Sequence, residues 1–400
     1  MRFARSLAPV IVAFALAAGA SAASPTSAAG HPSGSWTQFH YAATRSGYDP
    51  LETTLGNRNV GRLAVLWQKP LDDTELATPL VSGGRVFALA YSGKLYALRQ
   101  SDGRRLWTVS VGSPLRSTPA IWHDLVVTPG TASSGGFVAA YDAASGARRW
   151  RTRLNADVGA FVTAPAVYGG SVYLSAGATI YALSASTGHL RWKTTVASDG
   201  SVVDGPVAVS GGGEYVVAAA NDGRVYELDA ATGARRWTVK TASGIHTGGP
   251  AIYSGIVYVP EGRESNEGTG FDIWALQVSD GRVLWHSYAG DDVHITPAAG
   301  AGMVVIGSID EGLRALDSRT GALRWTGPYE GEVLGGPAIA NGVVYVGSDS
   351  QLVARGAGTG ALLYSTFDSL GYTFMSAPAI VDGRVYVGSG DGVIRVLGLR

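Results

Sequence analysis

The densest set of groups able to do chemistry is Gly290-Asp291-Asp292-Val293-His294, two carboxylates and an imidazole within four residues. Together with His246 it offers the imidazole and carboxylate donors that suit zinc or manganese. The two histidines have no HxH or HExxH spacing, and the chain contains no cysteine. Hydrophilic loops also carry carboxylates by default. The expectation is therefore no metal and no catalytic residue, with His246, Asp291, Asp292, His294 and Glu332 standing as candidates for ligand contact. Nucleophile and phosphate motifs are missing: there is no GxSxG elbow and no GxxxxGK[ST] loop, and Gly388-Ser389-Gly390 lies in a strand turn rather than ahead of a helix.

A repeat positions these groups. Pro79, Pro119, Pro165, Pro206, Pro250, Pro297, Pro337 and Pro378 each open a short apolar run, at spacings of 40 to 47 residues. A period of this length marks a solenoid, propeller or array. Each unit holds three strand-like runs and a fourth that carries an aromatic, parted by Gly, Ser and Asp, which reads as an antiparallel meander. Helix competes poorly, because no apolar spacing near 3.6 is sustained and 56 glycines interrupt the longer stretches. Proline is tolerated at the start of an edge strand, and the innermost strand of a propeller blade is such an edge. The Asp-x-x-Thr-Gly turns, as at Asp229 to Gly233 and Asp317 to Gly321, join the third strand to the outer one.

The outer-strand aromatics are Trp67, Trp107, Trp150, Trp192, Trp237, Trp285, Trp325 and Tyr364. Rings of this size on an outer strand need a second layer to bury them, so they are assigned to docking between blades rather than to ligand stacking. The prolines and the aromatics both count eight, but out of phase. The last unit stops after its third strand, and Val60 to Trp67 is a fourth strand with no three before it. The fold class is therefore all-β, an eight-bladed propeller of four-stranded blades whose last blade is closed by the N-terminal strand. Loops leading into the inner strands and loops between second and third strands then share one face, at the channel mouth, where all five candidates fall. The loop Pro260 to Gly270 is the longest internal break in the repeat, either a second place for specificity or a tolerated insertion.

Composition narrows the partner. Lys+Arg and Asp+Glu are equal at 31 each, so there is no basic footprint for nucleic acid or for an anionic membrane. Residues 1–22 carry Arg2 and Arg5, an apolar stretch from Leu7 to Ala18, and Ala20-Ser21-Ala22, the pattern of a secretory signal peptide cleaved after Ala22. The expected organisation is signal peptide over 1–22, flexible spacer and leader over 23–59, and propeller over 60–400. The mature chain is expected to be secreted, monomeric and free of a membrane anchor.

The unit Gly-x-Val-Tyr-Val-Gly followed by Gly-x-x-Tyr-Ala-Leu-Asp-x-x-Thr-Gly-x-x-x-Trp, seen well at Gly342 to Gly347 and at Leu228 to Trp237, resembles the pyrroloquinoline-quinone-like (PQQ-like) propeller repeat. The segment with Trp36, Arg45-Ser46-Gly47-Tyr48-Asp49-Pro50-Leu51, Asn59-Val60, Leu63 and Trp67 is similar to the opening of quinoprotein alcohol dehydrogenases. That branch implies PQQ, calcium held by Glu and Asn beside a catalytic Asp, and a pair of adjacent cysteines over the quinone. This chain has no cysteine and no segment matching the calcium site, so no catalytic residue transfers and no cofactor is expected. A second relative by repeat, copy number and size is the propeller lipoprotein of outer-membrane protein assembly, a scaffold anchored through a lipidated cysteine that is missing here. The resemblance implies a binding or scaffold module for an unspecified protein or small molecule, with a PQQ-dependent oxidoreductase as the alternative.

Overall fold

The computed structural model describes residues 34–71, 77–112, 117–132, 135–154, 162–197, 200–241, 248–263, 270–290, 295–308, 312–328, 333, 335–348, 351–366 and 376–400. They form an eight-bladed β-propeller. Blade 1 is the pattern for the rest: an inner strand Leu80–Ser82, then Arg85–Leu89, Lys94–Arg99 and an outer strand Arg105–Ser110, each pairing antiparallel with the next. Blades 2 to 7 follow in sequence order, and each proline of the repeat immediately precedes or nearly precedes an inner strand. There its missing N–H removes no ladder bond.

Blade 8 is made from both ends of the chain. Its strands Ala379–Val381, Arg384–Gly388 and Val393–Gly398 are completed by Ala64–Pro70, which pairs antiparallel with Val393–Gly398. Closure by the N-terminal strand is thus observed, with one difference in extent. Val60–Arg62, expected as strand, is a 3-10 turn. Its start is fixed by Asn59, whose Oδ1 accepts the Gly56 N–H and whose amide donates to the Thr54 carbonyl.

The blades are locked by one repeated device. Trp67, Trp107, Trp150, Trp192, Trp237, Trp285 and Trp325 each donate Nε1–H to a carbonyl of the following blade, at Gln100, Ala143, Ala185, Ala230, Val278, Ser318 and Ala357, over 2.8–3.2 Å. Each ring also lies on the turn glycine of that next blade, Gly103, Gly146, Gly188, Gly233, Gly281, Gly321 and Gly360, all at φ of 71–74°. An added Cβ would strike the ring, and the left-handed conformation disfavours one independently. The motif Thr-Gly-x-x-x-Trp therefore couples two blades: the glycine receives the preceding blade's tryptophan, and the tryptophan serves the next. Asp229 and Asp317 tighten these turns by accepting the N–H groups two and three residues on. Tyr364 breaks the series for a topological reason. The third and outer strands of blade 8 come from opposite chain ends, so no such turn exists there, and Tyr364 packs instead in the cluster that holds Val60.

The leader is part of the interior. Trp36 exchanges both backbone hydrogen bonds with Val81, and the carbonyls of Thr37, Ala43, Thr44, Ser46 and Gly47 accept the N–H groups of Ile121, Val209, Ile252, Ala299 and Ile339. In blade 3 the Gln38 amide does the work of a backbone, accepting from Val167 N–H at 2.7 Å and donating to Val167 carbonyl at 2.9 Å. Glu52 then accepts the Gly383 N–H of blade 8. Residues 36–52 visit blades 1 to 8 in order, pairing the inner edges of blades 1 to 7 that a bare ring would leave open and reaching the first turn of blade 8. Tyr48–Asp49 adds a parallel fifth strand to blade 7.

Candidate functional site: the channel mouth and its floor

The two faces of the ring are built differently. On one face the first and second strands are joined by tight turns such as Gly83-Gly84, Gly169-Gly170 and Ser254-Gly255, at positive φ. The other face is the mouth, reached by the loops leading into the inner strands and by the hairpins between second and third strands. Most blades use five or six residues in each hairpin strand, but blade 2 uses eight in Leu125–Ala132 and Gly135–Asp142, and blade 5 eight in Ile256–Arg263 and Gly270–Gln277. Of the loop expected over Pro260 to Gly270, residues 260–263 and 270 belong to this extended ladder, with Glu261 opposite Asp272 and Arg263 opposite Gly270, and residues 264–269 lie outside the described residues.

His246, Asp291, Asp292, His294 and Glu332 all lie outside the described residues. Residues 1–33 also lie outside them. Among the described residues no group of three or more His, Asp or Glu could hold a metal ion, and no helix is long and apolar enough to cross a membrane.

The floor beneath the mouth is described in full. Its centre is Arg45, fully buried, which donates from Nε to Val207 carbonyl (3.1 Å), from Nη1 to Phe39 carbonyl (3.0 Å) and from Nη2 to Ala164 carbonyl (2.8 Å). One guanidinium thus ties the leader to the starts of blades 3 and 4. Burial lowers its pKa to about 9, so it remains a cation at neutral pH. His40, also fully buried, lies against Gly336 and packs, tilted by 37°, against the half-buried Phe39 ring at 4.4 Å. Burial first, and the Arg45 charge second, lower its pKa to about 3, so it is neutral. His40, Tyr41 and Arg45 all have positive φ, of 53°, 74° and 56°, in a bend closed by hydrogen bonds to the His40 carbonyl from Ala42 and Gly47. Such strain persists only where the surroundings over-determine it, and here the blades do so.

A calcium-bound quinone fits this floor poorly. Arg45, buried between the leader and blades 3 and 4, is a cation, which repels a divalent ion. The nearby leader carboxylates are committed: Asp49 accepts the Leu51 N–H, and Glu52 accepts from Thr54, Leu55 and Gly383. Arg45 lies in the segment similar to the opening of quinoprotein alcohol dehydrogenases, but the bonds made by Arg45 and Gln38 had no signal in the sequence, because most of their partners are backbone atoms of other repeats.

Two buried carboxylates at the mouth were also missed by motif reading. Glu261 and Asp272 face each other across the long blade 5 hairpin, 1% and 5% exposed, and His286 Nδ1 lies 3.6 Å from Asp272. His286 in turn stacks on Trp274 at 4.5 Å. Their signal was the charge-rich departure Pro260-Glu261-Gly262-Arg263 from an otherwise apolar strand. On the opposite face a cleft of about 470 Å³ lies between blades 1 and 8, lined by Gly84, Arg99, Gln100, Ser101, Asp382 and Arg384. Arg99 is committed there to a bidentate pair with Asp102.

Fold and repeat together define a PQQ-like β-propeller whose channel is floored by its own leader. The chain matches the family model described as outer membrane protein assembly factor BamB over residues 64–135, 134–292 and 269–400, and it belongs to that family. It is 28% identical over 152 residues to the outer membrane protein assembly factor BamB of Yersinia pestis, covering 34% of this chain and 37% of that one. It is 32% identical over 103 residues to the dehydrogenase subunit of a quinone alcohol dehydrogenase from Gluconobacter oxydans, 25% of this chain and 13% of the relative. The chain thus spans well under half the length of either relative. The crystal structure of BamB from Moraxella catarrhalis superposes with a TM-score of 0.66 at 20% identity, over 84% of this chain and 99% of that one, a likeness of fold.

Proposed function

We propose that the protein is an exported propeller scaffold that binds a protein or small-molecule partner at its mouth and performs no chemistry of its own. The observation that carries this reading is the asymmetry of the ring. The turn face keeps minimal turns, whereas the mouth face carries two hairpins extended beyond the repeat, on blades 2 and 5. Specificity in such folds resides in loops on a rigid frame. Membership of a family described as an outer membrane protein assembly factor supports a binding role. The signal-like residues 1–22 support export, and His246, Asp291, Asp292, His294 and Glu332 remain the proposed contacts from the loops leading into blades 5, 6 and 7.

The similarity to a quinone alcohol dehydrogenase sets the competing reading, a quinoprotein oxidoreductase. Reconstitution with PQQ and calcium, followed by absorbance and by dye-linked oxidation of alcohols and sugars, separates the two. The scaffold reading expects neither binding nor turnover, and turnover would end it. Co-purification from an envelope extract, compared with a chain lacking residues 264–269, supplies the positive arm: a partner held by the full chain and lost from the shortened one.

A further inference from the structure

The position opposite the outer-strand aromatic is among the most constant in the molecule. Trp107, Trp150, Trp192, Trp285 and Trp325 stand across from Ala97, Ala140, Ala182, Ala275 and Ala315, Tyr364 across from Ala354, and Trp67 across from Val396. A small apolar side chain lets the indole lie flat on the third strand and reach the next blade. In blade 4 the residue across from Trp237 is Glu227. The fold does not ask for it, since the other tryptophan-bearing blades form the same lock without it.

Glu227 is fully buried. Neither carboxylate oxygen accepts a well-formed hydrogen bond, and the neighbouring Trp237 indole N–H is committed to Val278 carbonyl at 3.1 Å. The charged groups around it come from two elements. Arg236, on the outer strand of the same blade, places Nε 3.3 Å from Oε1, but its side chain is 42% exposed, it lies over the Tyr215 ring and its charge also acts on Asp229. Asp280, in the turn of blade 5, adds like charge. An ionised carboxylate is therefore confined in the seam between two blades with one half-solvated counter-ion. Burial, only partly offset by the Arg236 charge and by weak contacts from the Trp237 and Arg236 N–H groups, pushes its pKa up to about 7.

We propose that Glu227 is a proton-controlled latch on the seam between blades 4 and 5. With the side chain protonated, the seam closes on a neutral group. With it ionised, the charge favours conformations that admit water, and the contact between Trp237 and Val278 opens. The direction follows from linkage: a carboxyl held above its ordinary range stabilises the closed seam fully below about pH 4.5, and that contribution is lost as pH rises through about 7. Opening is then expected to grow roughly tenfold between about pH 6 and about pH 8.5.

Hydrogen exchange over Arg235–Lys240 and the turn after Gln277 reads this opening. Wild type is compared with Glu227→Gln and Glu227→Ala at each pH, so that the intrinsic pH dependence of exchange cancels. Glu227→Ala installs the repeat's own residue, so the variant is expected to fold. The expected result is that the wild-type-to-variant exchange ratio rises about tenfold from the lower to the higher pH, with a protonated-carboxyl infrared band near pH 6 that Glu227→Gln removes. A ratio that does not change with pH, or the absence of that band, would overturn the latch.

Discussion

The turn face and the mouth face of this propeller are made from the same repeats under opposite constraints. On the turn face every aromatic lock needs a glycine at positive φ in the next blade, and seven of the eight seams meet that need alike. On the mouth face strand lengths, loop lengths and charges differ from blade to blade, and two hairpins project beyond the rest. Stability is therefore concentrated where the repeat is regular, and the proposed specificity where it departs from itself. The leader lies between the two regimes. It is unique in sequence, yet it satisfies the inner edges of blades 1 to 7 and reaches the first turn of blade 8.

The comparison breaks most completely where the ring itself is opened. Removing residues 60–71 takes away the outer strand of blade 8 and the Trp67 lock at once. The shortened chain is expected to lose its cooperative melt or to aggregate, as seen by circular dichroism and gel filtration. Trp285→Ala leaves the ring closed but empties one seam, which costs about 3–5 kcal/mol in denaturant unfolding. The loss of binding at the mouth should be no greater than the loss of folded protein. Arg45→Met tests the floor: three carbonyls lose a charged donor, and the net cost is about 2 kcal/mol, reduced by relief of a buried cation. Deleting residues 264–269 should change stability by less than about 0.5 kcal/mol, since shortening the connection between Arg263 and Gly270 changes closure entropy little. The same deletion should abolish partner capture. A stability loss as large as that of Trp285→Ala would erase the distinction between the faces.

What the sequence made legible follows this division. Period, strand count, closure and the Thr-Gly-x-x-x-Trp lock could be read because each recurs, so one copy interprets another. The 3-10 turn at Val60–Arg62 could not, because Asn59 fixes it through local bonds that strand propensity does not register. The leader's path was hidden for a stronger reason. Thr37, Gln38, Ala43 and Gly47 show no strand alternation, and their partners are backbone groups 84 to 292 residues away. Glu227 and Glu261 were visible as charges in apolar strands, but only the register shows that one replaces alanine behind an indole and the other faces a second carboxylate.

The central claim is that the leader is the floor of the channel, paired to the inner strands as tightly as the blades are paired within themselves. Residue-resolved hydrogen exchange of Val81, Ile121, Val167, Val209, Ile252, Ala299 and Ile339 tests it most directly, because the leader supplies the acceptor for each of these N–H groups. Exchange at the rate of global unfolding for all seven is the predicted result. Fast exchange at these amides, with the second strands still protected, would show an open channel and contradict the account.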